Sequence, residues 1–315
     1  MINITAKYYI YIIKYYGKEK LMDTVKYKAF ITTVDLGSIT AAAGAMGYTQ
    51  PGLTRMLNSL EKEMGCRLLK RGRNGAELTS DGRKLIPAIR ELCKCQEQIS
   101  QMTAEIAGLL SGEISVGSFY SIAEGWLPKL IGLFGRKYPE VRVHTFEGLA
   151  DDLTLMLEEN KLDCCFMSKP ADYKGEWLPL KMEPIVAWLP KTHPLSGADS
   201  FPLSELEHEA FIHPAPGHDT DIDRLLHDES IEANAKYWSQ DPATVFSMVE
   251  SGLGISINNK LQSCKFKGNV TVIPVFPARY VELGIAVPSL KKASPAALEF
   301  IRTAEKLYSS YPPVA

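Results

Sequence analysis

Three short amphipathic stripes, each closed by a glycine, run through residues 27–65 and most constrain what this chain can fold into. Tyr27, Phe30, Ile31 and Val34 recur at i, i+3, i+4 and i+7, one face of a helix, and Leu36-Gly37 ends it. Ser38 is a good N-cap for a second short helix, whose apolar face is Ile39, Ala42, Ala43 and Met46. The small residues Ala41 to Gly44 let another helix approach closely, and Gly47 turns the chain. Thr49 caps a third helix, with Pro51 in its first turn, where a missing N–H costs nothing. Leu53, Leu57, Leu60 and Met64 are its buried stripe, and Gly65 is its C-terminal stop. Two short helices joined by a tight turn, the second longer, make a helix-turn-helix; a generic small helical bundle is the plain alternative.

Chemistry favours the first. Thr49, Gln50, Thr54 and Arg55, with Pro51 among them, open the third helix where a recognition helix meets the major groove. Asn58 lies one turn further on. Gln pairs bidentately with adenine, Thr touches a thymine methyl or a phosphate, and Arg takes guanine or phosphate. Thr40, in the first turn of the second helix, suits a phosphate held by backbone N–H groups. Arg67 to Arg71 reads as a strand, Gly72 to Gly75 as a turn, and Ala76 to Thr79 as the returning strand. Arg71 and Arg73 then sit at the tip of a basic hairpin, a wing for the minor groove or the DNA backbone; an ordinary solvated turn is its alternative. The net charge is -2 overall, but residues 23–84 carry +4, residues 1–22 carry +3 and the rest carry -9. A basic front on an acidic body points to a polyanionic partner for the front.

The run Phe30-x8-Ile39-Thr-Ala-Ala, then Thr49-Gln-Pro-Gly-Leu-Thr-Arg55, then Leu60-Glu-x-Glu-Met-Gly65-x-Arg67-Leu-Leu-x-Arg71, then Leu78-Thr-x-x-Gly82 resembles the LysR-type transcriptional regulators. By that likeness Thr49, Gln50, Pro51, Thr54 and Arg55 match the family's DNA-contacting stretch, and Arg71 its wing arginine. Leu69 stands where the family usually has Phe, and Gly52 where it usually has Ala. The resemblance implies a multidomain fold. An all-α winged helix-turn-helix spans residues 23–81, a linker and dimerisation helix 82–110, and an α/β effector domain 111–315. The effector domain has two subdomains of periplasmic-binding-protein-like form, the first about 111–183 with 284–310, the second about 184–283. It further implies a sequence-specific DNA-binding regulator controlled by a small-molecule effector.

The residues behind the helix-turn-helix read independently in the same sense. Ser80-Asp81 caps a long helix with a stripe of Leu85, Ile89, Leu92, Gln96, Ile99, Met102, Ile106 and Leu109. A lone helix of that length cannot pack only on a small winged domain; pairing with a second copy is expected, the family resemblance favouring it over a helix folded back on its own chain, and Pro87 should kink its first turns. From Ser111, strands at 113–118, 141–147 and 162–167 alternate with helices at 122–137 and 149–159. That order gives a parallel sheet with covering helices. Further strands fall at 184–189, 210–213, 235–239, 252–257, 270–275 and 282–287, with helices at 219–228, 242–251 and 295–308. Ligands in such units bind at the carboxyl ends of strands and at helix starts. That rule selects Ser118, Tyr120, Ser121, Gly148, Met167, Ser168, His213 and Thr244 as effector contacts, with plain N-capping as the alternative for each hydroxyl.

Several classes are excluded. There is no G-x-S-x-G, P-loop, G-x-G-x-x-G after a strand, or H-E-x-x-H, so an enzyme is not expected. A solute-binding protein would account for the cleft domain alone, not for the helix-turn-helix. His213, His218, Asp219, Asp223 and His227 have residue types that suit zinc, but without a defined spacing, and Asp219 and Asp223 are also what a helix start prefers; neither metal nor cofactor is expected. The six cysteines form no C-x-x-C and read as reduced thiols of a cytoplasmic protein, with a redox switch as the alternative. Residues 1–22 read as an N-terminal extension from an upstream start, and their apolar run Tyr8 to Ile13 is too short to span a membrane. The expected partners are double-stranded DNA, further copies of the chain in a dimer or tetramer, the effector, and RNA polymerase.

Overall fold

The computed structural model of the chain describes residues 24–72, 75–106, 110–170, 173–214 and 220–309. The chain forms two compact units that divide after Gln96, inside a long helix. The extension 1–22, Arg73, Leu109, His218 and Asp219 lie outside the described residues.

The front unit begins with α1 (Thr24–Leu36), α2 (Ile39–Ala45) and α3 (Gln50–Met64). Gly37, Gly47 and Gly65 each take positive φ at the helix ends, a conformation glycine adopts without penalty. Ser38 accepts from the Ala41 N–H and Thr49 from the Gly52 N–H, so both start signals act as caps. The buried face of α1 is Tyr27, Ala29, Phe30 and Thr33, with Ile31 and Val34 only half-buried. Thr33 can be buried because its hydroxyl donates to the Ala29 carbonyl at 2.7 Å. A two-stranded antiparallel ribbon follows, β1 (Leu69–Gly72) and β2 (Gly75–Leu78), its first strand starting two residues later than the sequence pattern suggests. The reason is that the Leu68 and Leu69 N–H groups both donate to the Glu61 carboxylate, which holds the chain on α3 before the ladder starts. The ribbon then docks on the α1–α2 turn, where the Ala76 N–H donates to the Gly37 carbonyl at 2.8 Å. A Cβ on Gly75 would lie 2.3 Å from that carbonyl, so only glycine allows the approach.

The long helix α4 (Ser80–Ile106) is capped by Thr79 rather than by Ser80-Asp81: the Thr79 hydroxyl accepts from the Gly82 N–H at 2.9 Å. It runs on through Pro87 as one helix. Against its own unit it buries Ile86, Ile89 and Arg90, with Leu85 and Leu92 half-buried on the same core. The Arg90 guanidinium is bidentate on the Asp35 carboxylate of α1, one contact at 3.1 Å. Further along α4, Gln101 is buried, donating to the Glu113 carbonyl and accepting from the Ala296 N–H, while Ile99, Met102 and Ile106 are exposed.

The second unit is α/β. Its first lobe holds β3 (Gly112–Ser118), α5 (Tyr120–Gly125), α6 (Leu127–Lys137), β4 (Val141–Glu147), α7 (Ala150–Glu158) and β5 (Cys164–Ser168). Strand β3 pairs in parallel with β4 on one side and β5 on the other. The single helix expected over 122–137 is two, because Pro128 lacks an N–H and sits only in a first turn, that of α6. Strand β6 (Glu176–Pro190) then leaves this lobe for the other; it starts well before the expected strand, hidden in the sequence by Pro179 and Pro184. The second lobe holds β7 (Phe201–Pro202), β8 (Phe211–Pro214), α8 (Asp221–Asp228), β9 (Ala235–Ser239), α9 (Pro242–Glu250), β10 (Ser256–Asn259), α10 (Lys260–Ser263) and β11 (Val270–Phe276). Strand β12 (Tyr280–Val287) pairs with the first half of β6 and with β5, returning the chain to the first lobe, and α11 (Pro295–Tyr308) closes it.

Asp35→Ala, which leaves the buried Arg90 guanidinium without its carboxylate, should cost about 1–3 kcal/mol, read as a lowered thermal midpoint. Gly75→Ala should destabilise the wing, read as faster amide exchange at Ala76 with α3 little changed.

Candidate nucleic-acid interface and effector cleft

The start of α3 presents Thr49, Gln50, Pro51 and Arg55 exposed, with Thr54 half-buried beside them and Asn58 exposed one turn on. Thr54 donates to the Gln50 carbonyl at 2.9 Å, and Arg55 Nε to the Pro51 carbonyl at 3.4 Å. Both side chains are therefore folded along the helix, with their ends at the surface. Thr40 is exposed in the first turn of α2. The Arg71 side chain ties the wing to this surface, donating to Asn58 Oδ1 at 2.7 Å and to Glu61 Oε2 at 3.1 Å. Glu61 was not among the residues given a DNA-contacting role from sequence, although it stands in the run that resembles the LysR-type regulators.

In the second unit a cavity of about 120 Å³ lies between the lobes. That is near the size of an engineered protein cavity that accepts a benzene ring. The first lobe contributes Phe119, Tyr120, Ser121, Gly148, Asp151 and Ser168; the second contributes Arg224, Gln240, Val245, Asn258 and Gln262, among others. Tyr120, Ser121, Gly148 and Ser168 therefore reach the cleft as their place at strand ends suggests. Four others do not line it. Ser118 is wholly buried at the end of β3, and Met167 packs in the core under α7 with Leu153 and Leu157. His213 is held at the Asp223 carboxylate, 3.0 Å away, with Nδ1 3.0 Å from the Pro214 carbonyl. Thr244 donates to the Asp241 carboxylate at 2.6 Å, and that bond, with the Ala243 and Thr244 N–H groups, holds the Asp241 carboxyl below the usual carboxylate range. Thr244 is thus part of a helix cap.

Two cleft groups have unmet hydrogen-bonding capacity. Ser168 is 2% exposed and Gln262 8% exposed, yet Ser168 Oγ and Gln262 Nε2 find no partner among the described residues. A buried unpaired polar atom costs about 1–3 kcal/mol, a cost a bound polar ligand would remove. Sequence reasoning found Ser168 from its strand end. It missed Gln262, which lies in a one-turn helix that no periodicity announces, and Arg224, Asn258 and Gln240.

No group of three or more His, Cys, Asp or Glu among the described residues is placed to hold a metal. Cys164 and Cys165 are buried, and burial, followed by the neighbouring Cys164, pushes the Cys165 thiol well up, away from the reactive thiolate. No helix among the described residues is long and apolar enough to cross a membrane.

Residues 25–83 match the bacterial regulatory helix-turn-helix proteins of the lysR family, and residues 107–308 match the LysR substrate binding domain. The chain belongs to the LysR family of transcriptional regulators: a helix-turn-helix module followed by a substrate-binding domain, not an enzyme. It is 29% identical to the HTH-type transcriptional regulator YvbU of Bacillus subtilis over 92% of this chain and 100% of that one. It is 27% identical to the HTH-type transcriptional regulator BudR of Raoultella terrigena, over 82% and 91%. Among solved structures, a full-length OxyR variant from Pseudomonas aeruginosa shares the fold with a TM-score of 0.74 at 22% identity, over 93% of this chain and 99% of that one. Full-length CbnR in complex with its target DNA does so with a TM-score of 0.63 at 21% identity, over 90% and 100%.

Ser168→Ala should raise the stability of the ligand-free protein by roughly 1 kcal/mol, because it deletes an unsatisfied buried hydroxyl. Denaturant unfolding checks this.

Proposed function

We propose that this regulator binds double-stranded DNA as a dimer or tetramer, reads sequence through the start of α3, and is switched by a small molecule in the interlobe cleft. The observation that carries the ligand reading is the cleft itself: a ring-sized cavity between the lobes, lined from opposite sides by Ser168 and Gln262, each with a buried polar atom that has no partner among the described residues. Gln50 and Arg55 have the donors and acceptors for base edges, and Thr40, Thr49 and Thr54 suit phosphate or thymine methyl contacts. Arg71 serves as the wing contact; Arg73, the other wing arginine of this reading, lies outside the described residues. Tyr120, Ser121, Gly148 and Ser168 meet the effector from the first lobe, and Arg224 and Gln262 from the second. Ligand bridging the lobes favours one lobe arrangement, and through the oligomer alters the spacing of the helix-turn-helix pairs on DNA. Contact with RNA polymerase and a cytoplasmic location complete this reading, supported by the kind of work a transcriptional regulator does.

Fluorescence anisotropy on duplexes from upstream of its own and neighbouring genes tests it, with and without candidate ligands. Sequence-specific, salt-sensitive binding is expected; its absence on all of them sinks the DNA reading. Arg55→Ala should weaken binding by about 1–3 kcal/mol. Ser121→Ala should blunt the ligand response while DNA binding without ligand persists. A thermal-shift screen over small aromatic and aliphatic compounds should find a stabilising ligand, since a binder raises apparent stability by mass action. A screen of broad chemistry with no hit, on protein that binds DNA, overturns the cleft reading alone.

A further inference from the structure

The wing arginine does not stand alone. Its guanidinium is shared between two side chains of the recognition helix, Asn58 Oδ1 at 2.7 Å and Glu61 Oε2 at 3.1 Å. The other Glu61 oxygen accepts the Leu68 N–H at 2.8 Å and the Leu69 N–H at 3.0 Å, at the root of the wing. One carboxylate therefore grips both the wing backbone and the wing arginine. The donor in the first contact is a guanidinium, so the Asn58 atom facing it must be the oxygen. That oxygen is the atom Asn needs to accept from adenine N6 in a bidentate base contact, whose other half is donation to N7. With Oδ1 given to Arg71, Asn58 keeps only its Nδ2 donors.

We propose that Asn58 and Glu61 are positioning residues that preset Arg71 for the DNA phosphate backbone, and that Asn58 is not an adenine reader. Arg71, Asn58 and Glu61 then form a unit that adds affinity without adding sequence preference, while Gln50 and Arg55 carry the readout. The unit also fixes the wing at one distance from the recognition helix, so Arg71 reaches a phosphate at a set offset from the bases read by α3. This rests on the reading of α3 and the wing as the DNA surface.

The test uses full-length protein, an operator duplex selected from a random pool, and a scrambled duplex of equal length, over a range of salt. Arg71→Ala should weaken binding to both duplexes by a similar factor and lower the salt slope by about 1, one phosphate contact. Glu61→Gln keeps an oxygen for the Leu68 and Leu69 N–H groups but turns an amide toward Arg71. It should weaken both duplexes about two- to fivefold, the range of an exposed ion pair. In the Arg71→Ala background it should have no further effect, as expected when one residue acts through the other. Asn58→Ala, which leaves every Glu61 contact in place, should behave the same way and keep the ratio of operator to scrambled binding. A loss from Glu61→Gln that adds to that of Arg71→Ala overturns the positioning role. A fall in the operator-to-scrambled ratio with Asn58→Ala overturns its exclusion from base reading. No effect of Arg71→Ala on either duplex, while Arg55→Ala weakens binding, overturns the unit but leaves α3 as the reading element.

Discussion

The second unit depends on the pairing of β6 with β12, the two strands that pass between the lobes. From Tyr280 opposite Pro184 to Val287 opposite Glu176, this ladder carries the chain out of the first lobe and back into it. Beyond Pro184, β6 turns to β10 and β11 and becomes part of the second lobe. The register slips by one residue between Leu283 and Gly284, and Leu283 lies opposite Ser168 at the end of β5. The slip thus sits beside the strand end that brings Ser168 to the cleft. A Cβ on Gly284 would come 2.3 Å from the Leu178 carbonyl, so the crossing tolerates glycine alone at that point. Where the lobes meet, and which strand-end hydroxyls face the space between them, follow from this one ladder.

Around that frame several polar side chains are occupied in holding helix starts. Thr220 and Asp223 form a reciprocal cap on α8 and bring in His213; Asp241 takes up Thr244 at α9; Asn259 caps α10. Groups with the chemistry of ligand contacts are consumed in this way, each cap supplying about 1 kcal/mol. Ser168 and Gln262 differ: Ser168 Oγ and Gln262 Nε2 are buried without a hydrogen-bond partner, as are Ser118 Oγ, Tyr173 OH and Glu183 Oε2, but of these five only Ser168 and Gln262, on opposite lobes, line the cavity.

The front unit uses the same economy. Glu61, Thr79 and Asp35 spend their oxygens on the wing root, the start of α4 and Arg90 respectively, so that three elements meet through single side chains. The exposed Thr49, Gln50 and Arg55 are left for the surface of α3. Their basic setting on an otherwise acidic chain matches a polyanionic partner.

Local signals determined the front unit almost completely. Caps, glycine stops and helical spacing act over a few residues, so Ser38, Thr49, Gly37, Gly47 and Gly65 announce their helices without knowledge of the rest. The family likeness of residues 30–82, and with it the regulator's identity, was legible for the same reason. The order of strands and helices behind it gave the α/β class, and strand ends gave Tyr120, Ser121, Gly148 and Ser168. Contacts between residues far apart in the chain were decided only in three dimensions. No pattern links Glu61 to Arg71 or Asp35 to Arg90, and none shows that Pro179 and Pro184 lie within one strand. Hydrogen bonds close at about 3 Å, and which distant group comes that near is a property of the packed chain. That is why Thr244 and His213 turn to Asp241 and Asp223 instead of the cavity, why Gln262 lines the cleft, and why strand ends pointed to the cleft but could not draw its walls.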